Sequence, residues 1–200
     1  MQLIETIKIE DGKIYNIIWH NQRCNRSRLE LFNEKKSIKL EDYITHFPQK
    51  GLFRCRVVYK KDILLVEYIP YIKRENKLFK IVSSTIDYSY KYNNRDELNK
   101  LKKDNSFYDD IIIEKDGLLT DTTIANIAFC DGEKWITPKK PLLQGTLRAK
   151  LLNKKILVEK DIKSDNLKHF SHYALMNAMI GFQIQKNITI YINKKEKICL

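Results

Sequence analysis

The sequence predicts an α+β fold: two small α/β subdomains of mainly antiparallel sheet with a ligand cleft between them. Three observations lead there. Short runs rich in Ile, Val, Tyr and Phe recur along most of the chain, as half-buried strands require. Asp-Gly pairs at 11–12, 116–117 and 131–132 mark tight hairpin turns. Helix signals are confined to a few stretches, which excludes a helical bundle.

Taken in order, residues 4–9 and 13–19 read as strands flanking the first Asp-Gly turn, and 21–32 as a helix. A second hairpin spans 52–59 and 63–69, and a further strand 79–83. Asn94-Arg95-Asp96-Glu97 has capping-box spacing and should open a helix through 102. Strands follow at 111–113, 124–130 and 135–136, then a helix over 145–153, and strands at 156–159, 173–176 and 188–192. The N-terminal α+β subdomain is expected over 1–86 and the C-terminal subdomain over 87–200, with no Pro/Gly/Ser-rich linker between them.

A chain of 200 residues is long enough to bury a sizeable core, and 43% hydrophobic with 31% charged residues is ordinary for a globular protein. No apolar run approaches the roughly 18–20 residues of a membrane span, and the first residues do not read as a signal peptide. Cys24, Cys55, Cys130 and Cys199 lack paired spacing, which fits a reducing cytoplasm better than a disulfide framework or zinc site. His20, His46, His169 and His172 show no metal-ligand spacing and read as structural or surface residues.

The net charge of +12 admits a nucleic-acid partner, whose signature would be steep salt dependence. The basic residues come as pairs at turns and helix ends, such as Lys60-Lys61 and Lys139-Lys140, rather than as a block. Attraction of a small anionic substrate uses that charge better.

The chemistry-bearing region runs from Leu118 to Arg148. Asp121 precedes Asn126 by five residues, a Thr-Pro break follows at 137–138, and Leu143-Gln144-Gly145-Thr146-Leu147-Arg148 opens a helix. A carboxylate can pair with a ring nitrogen, and a Gly-Thr helix start offers backbone N–H groups to a phosphate. Together they suit an aromatic cofactor that carries a phosphate. Lys91, between Tyr90 and Tyr92 and just before a helix, could sit in a low-dielectric cleft, where desolvation favours the neutral amine.

Four ordered blocks between about Glu5 and Phe182 resemble the class IV aminotransferases, the fold-type IV enzymes dependent on pyridoxal 5'-phosphate, with the aminodeoxychorismate lyase branch most similar. They are Glu5-Thr6-Ile7 with His20-Asn21-Gln22-Arg23; Lys91 with Asn94 and Arg95; Asp121 with Asn126; and Gln144-Gly145-Thr146-Leu147 joined by Met176-Asn177-Ala178. Each block alone has an ordinary structural reading, such as a surface arginine, an exposed lysine or a turn glycine; the ordered set carries the resemblance. Three features depart from the family pattern: aspartate stands for glutamate at 121, the first strand is missing, and the glycine-rich stretch before the lysine is absent.

The resemblance implies a D-amino-acid aminotransferase-like fold with a cofactor cleft, most cofactor contacts coming from the C-terminal subdomain. It makes Lys91 the catalytic lysine that holds the cofactor covalently. Arg23, Gly145, Thr146 and Leu147 would bind its phosphate, with Asn177 and Ala178 on the other side of that phosphate, and Asp121 would bind its ring nitrogen. Arg95 would approach either the ring hydroxyl or the substrate. The implied activity is 4-amino-4-deoxychorismate lyase, forming 4-aminobenzoate and pyruvate for folate synthesis, in a homodimer acting on a small anionic amine. A branched-chain or D-amino-acid aminotransferase is the alternative.

Overall fold

The computed structural model describes residues 1–193 and 196–200, which form two compact units. The first comprises Met1–Lys73 and Tyr90–Asn94, and the second Arg74–Ser89 and Arg95–Leu200. The sequence suggests a single division after residue 86; in the structure the segment 90–94 returns to the first unit. There the Ile4 N–H donates to the Lys91 carbonyl at 2.9 Å, the Asn93 N–H donates to the Gln2 carbonyl at 2.9 Å, and Tyr90 and Tyr92 pack on the core. Such a return depends on long-range pairing, which no linker composition announces.

The first unit is an antiparallel sheet of β1 (Leu3–Glu10), β2 (Lys13–Ile14), β3 (Leu52–Tyr59) and β4 (Ile63–Pro70), in the order β2-β1-β3-β4. Asp11 and Gly12 take φ of 48° and 73°, the paired positive angles of the predicted turn. The strand expected over 13–19 ends at Ile14. Asn16 turns the chain with φ 55°, and the helix α1 (Ile17–Phe32) begins four residues before its expected start. The run Ile17-Ile18-Trp19 is therefore the first turn of a helix, a case where a short apolar run does not reveal its own period. Leu3, Ile7, Ile9, Cys24, Leu40, Cys55 and Val57 form a fully buried core.

The second unit holds β5 (Leu78–Ser83), α2 (Asp96–Asp104), β6 (Asp110–Lys115), β7 (Leu118–Thr122), β8 (Asn126–Cys130), β9 (Trp135–Pro138), α3 (Thr146–Asn153), β10 (Leu157–Lys160), β11 (His172–Asn177), β12 (Gly181–Gln185), β13 (Thr189–Tyr191) and β14 (Lys197–Cys199). The sheet runs β10-β9-β8-β7-β6-β5-β13-β14, with β11 pairing both β8 and β12. Most pairs are antiparallel; β5 with β6, β5 with β13, and β9 with β10 are parallel. The N-cap of α2 is Arg95, one residue after the expected Asn94, and the Arg95 side chain makes no cap bond. Phe79, Ile112, Ile127, Phe129, Leu167, Tyr173 and Ile190 fill the core. No described helix is long and apolar enough to cross a membrane.

β7 explains how the fold serves a site. Its sequence Leu-Leu-Thr-Asp-Thr lacks the apolar run of a buried strand, yet Thr120, Asp121 and Thr122 are all buried. Buried polar side chains need partners. Those partners define the site.

Candidate functional site

In the first unit, α1 turns His20, Arg23, Cys24, Ser27 and Arg28 inward, a helical face in its spacing but a polar one in content. Glu5 on β1 is fully buried beneath it. Arg23 donates from Nε to Glu5 Oε1 at 2.8 Å and from Nη2 to Oε2 at 2.6 Å, and His20 Nδ1 lies 2.6 Å from Oε2. Burial pushes the Glu5 carboxyl up, but Arg23 and His20 together outweigh it and hold it at about 2. Burial lowers the His20 pKa against the pull of Glu5, and the charges of Arg23 and Lys91 lower it further. The His20–Glu5 contact at neutral pH is thus a hydrogen bond from a neutral imidazole, not an ion pair. An ionised carboxylate only accepts, so Nδ1 carries the proton and Nε2 is a bare acceptor. Nε2 meets no hydrogen-bond partner among the described residues. Lys91 is half-buried, its backbone is bonded to Ile4 beside Glu5, and its charge reaches His20.

In the second unit, Asp121 is fully enclosed and pairs in register with Asn126 across β7 and β8. Asn126 Nδ2 donates to Asp121 Oδ1 at 2.7 Å and to the Leu143 carbonyl at 2.8 Å; the Leu143 N–H donates to Asp121 Oδ2 at 2.8 Å. Burial raises the Asp121 pKa to about 7, against the Asn126 bond, the backbone N–H of Leu143 and the charge of Arg148. The acid five residues before an asparagine is thereby tied directly to the loop that starts α3.

That helix begins at Thr146 behind Gly145, with no side-chain cap and no acidic residue in its first turn. Its first N–H groups are the kind an anion satisfies. Thr146 and Leu147 are buried. Gly145 has extended backbone, so its reason is space: a Cβ there would lie 1.8 Å from Asn126 Oδ1. Asn126 cannot swing away without breaking its bonds to Asp121 and Leu143. Gly145→Ala is therefore expected to destabilise the protein by about 1–3 kcal/mol, the scale of overpacking, and to loosen Asp121. Urea denaturation checks the first effect; an unchanged midpoint would show that Asn126 repacks freely.

The turn from Asp121 to Asn126 is held by residues the sequence only partly marked. Thr122 Oγ1 accepts the N–H of Ala125 at 3.1 Å, and Thr123 Oγ1 donates to Asp110 Oδ1 at 2.7 Å. Arg95 Nη2 donates to the Thr123 carbonyl at 2.6 Å, and its guanidinium lies over the Tyr88 ring. Asn177 Nδ2 donates to the Ile124 carbonyl at 3.2 Å, while its Oδ1 accepts the N–H groups of Met179 and Ile180. The neighbouring Ala178 is half-buried in that turn. The structure thus gathers Asp121, Gly145, Thr146, Leu147, Arg95 and Asn177 around one loop, and sets Arg23 and Lys91 within the first unit. Asp110, buried at the start of β6, and Glu5 and His20 were not assigned functional roles from the sequence. A carboxylate before an isoleucine run reads as a turn residue, and a histidine without metal-ligand spacing gives no other signal.

The sequence model of the amino-transferase class IV family matches residues 89–188. A Haemophilus influenzae protein, named only as uncharacterized, is 36% identical over 185 residues, covering 90% of this chain and 98% of its own. A crystal structure from Haemophilus somnus 129pt, named a “putative 4-amino-4-deoxychorismate lyase”, is similar at 38% identity and TM-score 0.83, covering 90% of this chain and 97% of that one. A Mycobacterium tuberculosis protein named “a hypothetical aminotransferase”, in its PLP-bound form, shares the fold at TM-score 0.72 and 13% identity, over 92% of this chain and 79% of that one. The chain belongs to the class IV aminotransferase family and is an enzyme of that family.

Proposed function

We propose that this enzyme uses pyridoxal 5'-phosphate to cleave 4-amino-4-deoxychorismate into 4-aminobenzoate and pyruvate, a step of folate synthesis, and that it works as a homodimer in the cytoplasm. The observation that carries the lyase reading is the 38% identity, across nearly the whole length, to the Haemophilus somnus protein of that name. The residues present fit the cofactor. An uncapped helix start beside a space-limited glycine suits a phosphate, and a buried carboxyl suits a protonated ring nitrogen.

Lys91 would hold the cofactor covalently; Arg23 and the N–H groups of Thr146 and Leu147 would bind its phosphate, with Gly145, Asn177 and Ala178 shaping the walls. Asp121 would face the ring nitrogen. When bound, the cofactor supplies an electron-withdrawing ring that accepts the electrons released as the substrate bond breaks. The freed Lys91 amine would take the proton from the amine-bearing carbon of the substrate and would hand a proton to the departing three-carbon group, whose bond to the ring breaks and which leaves as pyruvate. Arg95 is the candidate for the substrate carboxylate, and meanwhile it steadies the Thr123 carbonyl.

The family model's own description favours a second reading, an aminotransferase acting on branched-chain or D-amino acids. Both reactions would begin with the substrate amine taking the place of the Lys91 amine, so cofactor binding does not separate them. Aminodeoxychorismate generated in a coupled assay is expected to yield 4-aminobenzoate and pyruvate, with little amino exchange between branched-chain amino acids and 2-oxoglutarate. Fast exchange without 4-aminobenzoate would replace the lyase reading by the second.

A further inference from the structure

The inward polar face of α1 is costly unless it has a purpose, because buried charge must be paired and hydrogen-bonded. Arg23 is paired in an exacting way. Its Nε and Nη2 meet the two oxygens of one carboxylate, at 2.8 and 2.6 Å, which fixes the plane and the facing direction of the guanidinium. His20 then braces the same carboxylate at 2.6 Å from a position that no water reaches. Glu5, the hub of this trio, is 0% exposed and so is His20.

We propose that Glu5, braced by His20, is a positioning residue: it occupies one edge of the Arg23 guanidinium and so aims the group at the cofactor phosphate. This rests on the reading of Arg23 as a phosphate contact. The trio is electrically balanced. Glu5 is ionised, Arg23 is protonated and His20 is held neutral by burial, while Lys91 adds a positive charge from the segment packed against β1. Cys24 on α1 and Tyr59 on β3 also face Glu5, with burial pushing the Cys24 thiol up to about 12 and the Tyr59 hydroxyl well above its usual range, so neither carries charge there.

The alternative is that Glu5 merely neutralises a buried arginine. The two roles predict opposite signs. A carboxylate beside Arg23 repels a phosphate, so removing a mere counterion should tighten phosphate binding. Removing a positioning group should weaken it.

Apoprotein titrated with pyridoxal phosphate and with pyridoxal, which lacks the phosphate, distinguishes them without reference to turnover. In Glu5→Gln the affinity for pyridoxal phosphate is expected to fall by roughly tenfold or more, with pyridoxal affinity unchanged, and Arg23→Gln should give the same pattern. If Arg23→Gln loses the phosphate preference while Glu5→Gln keeps or increases it, the positioning role is overturned and the phosphate role of Arg23 stands. If Arg23→Gln leaves the preference intact, the phosphate reading itself fails and the proposal fails with it. Equal weakening of both ligands by Glu5→Gln means a general structural role and also overturns the proposal. Should Glu5→Gln not fold, Glu5→Asp keeps the charge but withdraws it by one methylene. A reduced preference for the phosphorylated ligand then supports positioning, and an unchanged preference overturns it.

Discussion

Lys91→Ala is expected to remove covalent cofactor attachment and to lower turnover by roughly 10²–10⁴-fold or more, the range of a positioned acid–base group. The fold should survive. What Lys91 contributes to the first unit is its backbone: its carbonyl accepts the Ile4 N–H, and Tyr90 and Tyr92 on either side anchor the segment in the core. An alanine keeps all three features. The half-buried side chain can therefore be cut back without opening the sheet. Borohydride reduction of the wild-type holoenzyme followed by peptide mapping should place the label on the peptide containing Lys91. A label on another lysine, or on none, would remove the assignment on which the proposed mechanism rests.

Why the grouping of Lys91 with Asn94 and Arg95 can be read in the sequence, and Glu5's partnership cannot, is a matter of distance along the chain. Lys91, Asn94 and Arg95 sit within one turn of spacing, as do Asp121 and Asn126, or Gly145 and Thr146. Local spacing of this kind survives in a string of letters, and the turns at Asp11-Gly12 and Asp116-Gly117 were legible for the same reason. Glu5 meets Arg23 across 18 residues, and Leu143 meets Asp121 across 22. Those pairings exist only once β1 lies under α1 and once β7 and β8 have aligned. In β7 the apolar signal ends at Leu119, which packs in the core; the Thr-Asp-Thr that follows is buried through its hydrogen bonds to Ala125, Asn126 and Leu143. The early start of α1 shows the converse: Ile17-Ile18-Trp19 is apolar enough for a strand, and only the left-handed Asn16 decides otherwise.

Asp121 gives the second large effect, because the same burial that would equip it for the proposed ring-nitrogen contact costs the fold stability. In the folded chain its pKa is about 7, against 3.8 without burial. Between those values the folded state binds the proton and the unfolded state does not, so the contribution of Asp121 to stability is full below pH 3.8 and is lost as pH rises through 7. The loss is on the order of a few kcal/mol. Asp121→Asn removes that dependence, so the urea midpoint of the wild-type apoprotein should fall relative to the variant as pH rises from 5 to 8. Parallel curves would mean that Asp121 does not titrate there. A cationic ring nitrogen reverses the balance by giving the carboxylate a charged partner, which favours the ionised form. Asparagine cannot provide it, and its amide would also present N–H toward Asn126 Nδ2 or the Leu143 N–H, where Asp121 now accepts from both. Turnover of Asp121→Asn is therefore expected to fall by about 10–100-fold, the scale of one charge-assisted bond, with cofactor still bound. Asp121→Glu restores the carboxylate that the family pattern carries at this position and should remain active. Wild-type turnover in Asp121→Asn would mean that the ring nitrogen takes its proton partner elsewhere, and Asp121 would then be only the residue that holds Leu143 and Asn126 in place at the start of α3.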